Sequence, residues 1–206
     1  MIMDDDISLP QTSPSDINVF DNPDHSGIYE GIKNHVIEFI ETFVVIGAIF
    51  ALIYLFIAQP HKVSGLSMYP TFNDGDLIFT DKISYKIGQI KRGDVIVLKN
   101  PKNEAQDFIK RIMVLPGETV KVEGGSVYIN GQLLNEDYLP AGRTTASGAF
   151  LKEGEEVKTG DNQYLVFGDN RDHSSDSRAW GAVKKEEIVG KVFFRYWPPK
   201  SLGLIK

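Results

Sequence analysis

The longest uninterrupted apolar stretch of the chain lies close to its start. Residues 42–58 read TFVVIGAIFALIYLFIA without a charge, and the apolar residues 39–40 flank the stretch on the other side of Glu41. This approaches the roughly 20 residues that cross a bilayer as a helix, and the stretch lacks the polar face of a core helix. A cleaved signal peptide fits less well, because some forty residues precede the stretch and they are acidic rather than basic. We therefore expect one retained transmembrane anchor over residues 36–59.

From residue 60 onward the pattern changes to short alternating or β-branched segments separated by turn signals. The predicted strands cover residues 77–83, 95–99, 108–115, 119–122, 127–129, 164–167 and 189–197. Residues 123–126 (EGGS) and 130–131 (NG) are typical of hairpin turns, and a helical turn is expected near residues 184–188. No segment in this part has a long helical periodicity. The pattern predicts a mainly β, antiparallel domain over residues 60–206.

The charges are distributed unevenly along the chain. Residues 1–30 carry seven acids and no Lys or Arg, out of 28 acidic and 22 basic residues in the chain. Such a segment buries too little apolar surface to fold, so residues 1–35 are expected to form an acidic disordered tail. The remaining charges are mixed and form no basic stripe, which argues against a nucleic-acid binder. Cysteine is absent, which excludes disulfides, thiolate metal sites and a cysteine nucleophile.

Ser67 lies in a segment that suits an exposed nucleophile. Gly65 permits a close backbone approach or a positive φ, and Pro70 stiffens the end of the segment. An exposed hydroxyl with backbone N–H groups beside it provides the parts of an oxyanion hole. On these residues alone, an ordinary turn that follows the anchor is the simpler interpretation.

The strand predicted at residues 108–115 carries two cations among apolar neighbours. On a strand, Lys110 shares one face with Phe108, while Arg111 shares the other with Ile109. A buried lysine loses hydration, its pKa falls, and it becomes a candidate general base. Arginine cannot act in this way because it stays protonated. The alternative is an edge strand from which both cations extend to water.

A polar loop, GDNRDHSSDSRAWG, covers residues 168–181 and holds three Asp and two Arg. It lacks the spacing of an EF-hand calcium loop, and Asp/Arg pairs that position serine hydroxyls explain its composition better. The loop also contains His173, which is the alternative to Lys110 as the base. A Ser-His-Asp triad would need His173 near Ser67 with Asp172 or Asp176 behind it.

Together these segments resemble type I signal peptidases, the membrane-anchored serine proteases that remove signal peptides from exported proteins. Residues 64–71 (SGLSMYPT) resemble the nucleophile box of the family, and residues 93–97 (GDVIV) the strand box after it. Residues 108–111 (FIKR) with 115–118 (LPGE) resemble the lysine box, and the loop at 168–181 resembles the last box. The four boxes follow in the family's order behind an anchor and cover most of residues 60–197.

The resemblance implies a Ser/Lys dyad in which Ser67 is the nucleophile and Lys110 the general base. It implies an acyl-enzyme without metal or cofactor, a contribution of Ser64 to the oxyanion hole and a hydrogen bond from Ser174 that orients the lysine. The residues expected to support the site through salt bridges are Asp169, Asp176 and Arg178. The residues expected to wall the substrate pocket are Met68, Phe72, Phe108 and Ile109. The family usually has asparagine in place of His173, which then has no catalytic role.

The resemblance also implies partners and location. The expected partners are preproteins with signal peptides that end in small residues, such as Ala-x-Ala, and the lipid bilayer; nucleic acid is not among them. The expected location is the bacterial inner or plasma membrane, with one pass, the catalytic domain on the extracytoplasmic side and the tail inside. Charge bias alone gives no orientation, since Lys33 precedes the anchor and Lys62 follows it. Residues 117–167 correspond to a small accessory β subdomain.

Two other classes of protein share part of this pattern. Self-cleaving SOS-response repressors use Ser/Lys chemistry, but they carry a DNA-binding helical domain where this chain has an anchor. A membrane-anchored β-domain that only binds partners needs no dyad, whereas Ser67 and Lys110 both stand here in intact boxes.

Overall fold

The computed structural model describes residues 26–52, 54, 58–101, 103 and 105–205, without the side chains of residues 26–30. Most of the tail expected over residues 1–35 lies outside the described residues. The chain divides into two units, residues 1–47 and 48–206, each of which is described by itself.

The first long element is helix α1, Ser26–Leu52. Its segment Gly31–Leu52 has a mean hydropathy of 2.0 over its most apolar window, no residue of which is buried, and is long and apolar enough to cross a membrane. The bounds differ from the interval expected for the anchor, residues 36–59, because the helix begins ten residues earlier. At the other end of that interval, Ala58 and Gln59 already lie on a strand.

The described part of the second unit contains twelve strands, all joined in antiparallel pairs. In chain order they are β1 (Ala58–Lys62), β2 (Leu77–Asp81), β3 (Val95–Lys99), β4 (Asp107–Val114), β5 (Thr119–Glu123), β6 (Ser126–Ile129), β7 (Gln132–Leu133), β8 (Glu156–Lys158), β9 (Gln163–Phe167), β10 (Val183–Lys184), β11 (Ile188–Trp197) and β12 (Gly203–Leu204). Two short helices accompany them, α2 (Ser84–Ile87) and α3 (Ser177–Trp180). Single 3₁₀ turns cover Arg171–His173, Lys185–Glu187 and Pro199–Ser201.

The larger sheet has the order β1-β2-β11-β3-β4-β9-β10, with β12 paired to β11. The smaller sheet has the order β7-β6-β5-β8 and lies within residues 119–158. Its two predicted hairpin turns are confirmed. Gly124 and Gly125 join β5 to β6 at positive φ, and Asn130 with Gly131 joins β6 to β7 at φ 50° and 78°. These are the residue types that tolerate left-handed backbone in tight hairpins.

Strand β4 lies inside the larger sheet, between β3 and β9. Its register places Lys110 opposite Ile96 on β3, and Arg111 between Val95 on β3 and Phe167 on β9. Both cations are buried, at 3% and 2% exposure. The edge-strand alternative is therefore wrong, since neither cation extends to water from an unpaired edge.

Three apolar clusters form the core of the described residues. One joins the two sheets through the end of β4, a second contains residues of β3, β4 and β9, and the third lies under the residues that follow β1. The predicted fold class, mainly antiparallel β behind one apolar helix, is confirmed. Strands β1, β7, β8, β10 and β12 and helices α2 and α3 were not predicted.

Candidate active site

Ser67 lies in a tight turn that follows β1. The Val63 amide donates to the Asp76 carbonyl at 2.8 Å, and the Gly65 amide donates to Asp74 Oδ1 at 2.7 Å. Gly65 has a φ of +90°, a conformation that residues with a side chain rarely adopt. The turn closes when the Tyr69 amide donates to the Leu66 carbonyl at 3.1 Å. These bonds place Ser67 in the cleft.

Lys110 reaches Ser67 from the adjacent wall of the cleft. Its Nζ donates to Ser67 Oγ at 2.8 Å and to the Ile109 carbonyl at 3.1 Å. Burial lowers the pKa of Lys110 to about 8, although nearby Asp176 and Asp169 favour its charged form. An amine with such a pKa is neutral in a useful fraction of molecules near neutral pH, and in that form it can accept the hydroxyl proton.

Asn170 fixes the peptide group that precedes the Ser67 side chain. Its Nδ2 donates to the Leu66 carbonyl at 3.0 Å, and its backbone amide donates to the Ser67 carbonyl at 3.0 Å. The Leu66 carbonyl and the Ser67 N–H belong to one planar trans peptide and point in opposite directions. Asn170 therefore sets the direction of the Ser67 N–H, the expected oxyanion donor.

Gly168 allows this loop to lie against the nucleophile turn. A Cβ at this position would lie 2.4 Å from the Ser67 carbonyl oxygen and 2.2 Å from Ser174 Oγ. Any side chain here therefore forces the two segments apart.

Two buried ion pairs hold the loop in place. Arg111 donates to both oxygens of Asp169, at 2.9 and 2.7 Å, and Asp169 also accepts from Thr71 Oγ1 at 2.6 Å. Arg178 donates in the same two-pronged manner to Asp176, at 2.8 Å for each bond. Two parallel charge-assisted bonds fix orientation as well as distance. Asp169, Asp176 and Arg178 thus form salt bridges, and their role in supporting the site stays a prediction.

A third buried cation links the loop to the accessory region. Arg171 pairs with Glu136 and also donates to Thr145 and to the Tyr138 hydroxyl. The Tyr138 ring in turn lies 4.0 Å from the Arg111 guanidinium. Residues 136–145 thereby contact two cations of the site, Arg171 in the loop and Arg111 on β4.

The partners in this network were not predicted from the sequence. Arg111 was considered only as an unsuitable base, and Asn170 and Arg171 were part of a motif without assigned contacts. Alternation along a strand predicts that a cation is buried, but it does not identify a partner 58 residues away. The only indication of these ion pairs in the sequence was the high content of Asp and Arg within the loop.

The two supporting serines occupy different surroundings. Ser174 Oγ is buried and has no hydrogen-bond partner among the described residues. The orienting bond to Lys110 is thus not formed in this structure, and that role stays a prediction. Ser64 is exposed and lines the cleft together with Ser67, and its oxyanion role also stays a prediction.

Ser67 and Lys110 line a cleft of about 290 Å³. Met68, Phe108 and Ile109 line this cleft, and their role as walls of the substrate pocket stays a prediction. Phe72 is not one of the lining residues, because its side chain is fully buried in the cluster below. A residue that packs under the wall shapes the pocket only through its neighbours.

His173 is exposed and also lines the cleft. Neither carboxylate considered for a triad is available to it: Asp172 pairs with Arg143, and Asp176 pairs with Arg178. The described hydrogen bond of the Ser67 hydroxyl is with Lys110. The geometry therefore favours the lysine as the base. Among the residues that the structure describes, no group of three His, Cys, Asp or Glu side chains is arranged to hold a metal ion.

Comparisons with known proteins show the family to which the chain belongs. The family model described as "Signal peptidase, peptidase S26" matches residues 36–197. The probable signal peptidase I-2 of Synechocystis sp. is 40% identical over 156 residues, which cover 73% of this chain and 68% of the relative. Signal peptidase IB of Staphylococcus aureus is 35% identical over 178 residues, which cover 81% of this chain and 92% of the relative.

Among solved structures, a signal peptidase I from Enterococcus faecalis V583 matches with a TM-score of 0.43 and 31% identity, over 50% of this chain and 96% of that chain. The family model and the relatives identify a hydrolase of the serine peptidase class. The chain belongs to the signal peptidase family, peptidase S26. The resemblance drawn from the four boxes is confirmed.

Proposed function

We propose that the protein is a membrane-anchored endopeptidase that removes N-terminal signal peptides from exported preproteins through a Ser67/Lys110 dyad. The observation that carries the proposal is the 2.8 Å contact between Lys110 Nζ and Ser67 Oγ inside a cleft. The family's name and those of its relatives support signal-peptide cleavage as the activity. The preproteins are accordingly the proposed partners.

The proposed reaction begins with neutral Lys110, which takes the proton of Ser67 as the serine oxygen attacks the scissile carbonyl. The Ser67 N–H, directed by Asn170, stabilises the oxyanion together with the Ser64 hydroxyl. The lysine ammonium then protonates the departing amine, which leaves an acyl-enzyme. Water activated by the again neutral Lys110 releases the signal peptide. Each proton has a donor and an acceptor among these residues.

The cleft supports a preference for small side chains next to the scissile bond. Met68 and Ile109 border it, and the buried Phe72 belongs to the same apolar cluster as Met68. Strand β1 is the terminal strand of its sheet, so an extended substrate can add beside its free edge. These features suit an Ala-x-Ala sequence bound as a strand.

Helix α1 is proposed as the anchor. Its 22-residue apolar segment spans about 33 Å at 1.5 Å per residue, close to the roughly 30 Å hydrocarbon thickness of a bilayer. We place the protein in the bacterial inner or plasma membrane with one pass, the peptidase domain outside the cytoplasm and the acidic tail inside. The lipid bilayer is thus the second proposed partner.

The test is cleavage of a model precursor with an Ala-x-Ala site by the full-length protein in detergent. Wild type is expected to release the mature N-terminus, and Ser67→Ala and Lys110→Ala are each expected to lose the activity by at least about a thousandfold, as removal of a dyad member does in related chemistry. His173→Ala is the matched control and is expected to cut. Cleavage by Lys110→Ala with loss in His173→Ala would contradict the dyad, and no cleavage by wild type would favour a protein that only binds partners.

A further inference from the structure

Residues 134–145, here called the connecting segment, lie between β7 and β8. The structure describes all of these residues, and none of them belongs to a helix or strand. The Leu134 amide donates to the Val127 carbonyl at 2.8 Å, and the Thr145 amide donates to the Gly125 carbonyl at 2.8 Å. Both ends of the segment are thus attached to the hairpin of β5 and β6. Between these ends, its hydrogen bonds with the rest of the domain are made by side chains.

Glu136 of the connecting segment forms a two-pronged ion pair with Arg171. Its Oε2 accepts from Arg171 Nη1 at 3.1 Å, and its Oε1 accepts from Arg171 Nη2 and, at 2.6 Å, from the Tyr138 hydroxyl. The Arg171 side chain is 0% exposed, and that of Glu136 is 14% exposed. A cation shielded so completely from water is costly unless an opposite charge compensates it. Glu136 supplies that charge from outside the loop that carries Arg171.

Arg171 also bonds to the backbone of its own loop. Its Nε donates to the Gly168 carbonyl at 3.1 Å, and its own carbonyl accepts from Arg178 Nη2 at 2.7 Å. These bonds fix both ends of the short stretch that contains Asn170. Asn170 donates two hydrogen bonds to the nucleophile turn, and Gly168 lies against that turn. The ion pair with Glu136 therefore orients a side chain that holds the loop in contact with the nucleophile turn.

We propose that Glu136 is a positioning residue of the reaction, which acts through Arg171 on the loop at residues 168–170. That loop in turn keeps the Ser67 N–H directed at the oxyanion. The inference rests on the proposed function, since it concerns the same reaction. Glu136 is not one of the described residues that line the cleft, so we expect it to touch no bound substrate. Its loss is therefore expected to lower kcat and to leave KM nearly unchanged.

A role in stability alone is the alternative, and it predicts a different result. A buried arginine left without its carboxylate destabilises a protein, whereas removal of both charges is often neutral. Glu136→Gln is thus expected to lower stability, and the double variant Glu136→Gln/Arg171→Met is expected to recover it. The double variant still lacks the bond to the Gly168 carbonyl. Activity returns with stability if Glu136 only stabilises the fold, and it stays low if Glu136 positions the loop.

The test compares wild type, Glu136→Gln, Arg171→Met and the double variant, each at full length in detergent. kcat and KM are measured for a precursor with an Ala-x-Ala site, and urea unfolding is followed by tryptophan fluorescence. kcat is expected to fall about 10- to 100-fold in both single variants, since misplacement by about 1 Å has effects of up to this size, with KM nearly unchanged. The double variant is expected to have the kcat of Arg171→Met, because a residue that acts through another has no further effect once the other is removed. Glu123→Gln, which removes the exposed pair with Lys121 on the smaller sheet, is the matched control and is expected to cleave as wild type does.

Recovery of kcat together with stability in the double variant would overturn the positioning role, and so would a Glu136→Gln protein with the kcat of wild type. Effects of the single variants that multiply in the double variant would show that Glu136 does not act through Arg171. These outcomes leave the proposed function intact, because wild type cleaves the precursor in each of them. If neither wild type nor Glu123→Gln cleaves it, the proposed function fails, and the inference fails with it.

Discussion

Adjacent residues on β4 show how burial assigns two cations to different tasks. Arg111 is fully compensated, since it makes two bonds to Asp169 and one to the Gly93 carbonyl. Lys110 has only a hydroxyl and a carbonyl within reach. Burial without a carboxylate partner favours the neutral amine, whereas burial with one favours a permanent charge. Lys110 is therefore suited to carry a proton, and Arg111 to hold the loop.

The Arg111–Asp169 pair is expected to dominate the stability of the site. Arg111→Met leaves the Asp169 carboxylate buried without its cation, which typically costs about 3–5 kcal/mol. Arg143→Met removes the exposed pair with Asp172 and is the matched control, with an expected cost below about 1 kcal/mol. Urea unfolding followed by tryptophan fluorescence measures both. An equal loss of unfolding free energy in the two variants would show that burial does not make the Arg111–Asp169 pair more important for stability than the exposed pair.

At the scale of elements, the site forms where the loop after β9 contacts the turn after β1. Hydrogen bonds hold these two segments together, and the lack of a side chain at Gly168 allows them to approach closely. The loop after β9 reaches the turn after β1 through Asn170 and through the bare backbone of Gly168. Neither loop carries both reacting groups or sets their spacing by itself. The strands supply Lys110, and the loop contact fixes the nucleophile turn beside it.

Gly168→Ala is expected to separate these loops and reduce kcat at least about a hundredfold, since misplacement by about 1 Å has effects of this size. Its Cβ would meet the Ser67 carbonyl oxygen at 2.4 Å. The matched control is Gly203→Ala, because no atom lies within 4 Å of a Cβ there and its φ is not positive. Precursor cleavage and far-UV circular dichroism are measured for both variants. Full activity of Gly168→Ala would show that the close contact is not needed.

Local patterns predicted seven of the twelve strands and none of the loop contacts. Residues 95–99 were predicted as a strand with the observed bounds, and residues 108–115 and 189–197 were displaced by one residue at one or both ends. Period-two alternation and glycine turns carry that information. Strand β1 was missed because its residues follow the apolar stretch directly and contain a proline. The bonds of Asn170 to residues about a hundred positions away leave no local trace in sequence.

At the scale of the whole molecule, the chain combines an apolar helix with a β domain that contains both residues of the proposed dyad. The apolar segment of α1 has an average hydropathy typical of membrane spans, while the described core lies in the larger unit. We propose that anchoring holds this cleft at the membrane face, where the cleavage site of a signal peptide emerges. The division into tail, anchor and peptidase domain with an accessory subdomain at 117–167 remains a prediction.

The absence of cysteine from the sequence makes the proposed orientation directly measurable. Leu133 is 64% exposed on the smaller sheet, and Asp5 belongs to the acidic tail. In intact cells, Leu133→Cys is expected to react with a membrane-impermeant maleimide, and Asp5→Cys only after the membrane is permeabilised. The unsubstituted protein is the control for background labelling. The reverse labelling pattern would contradict the orientation, and labelling of both without permeabilisation would contradict a single pass.

The pH dependence of precursor cleavage tests the central claim, the Lys110 general base, most directly. Because the base must be neutral, kcat/KM is expected to rise with pH through a single step whose midpoint reflects the pKa of Lys110, about 8. His173→Ala is expected to leave that step in place. A step centred near pH 6.5 that His173→Ala abolishes would contradict the account and assign the base to the histidine.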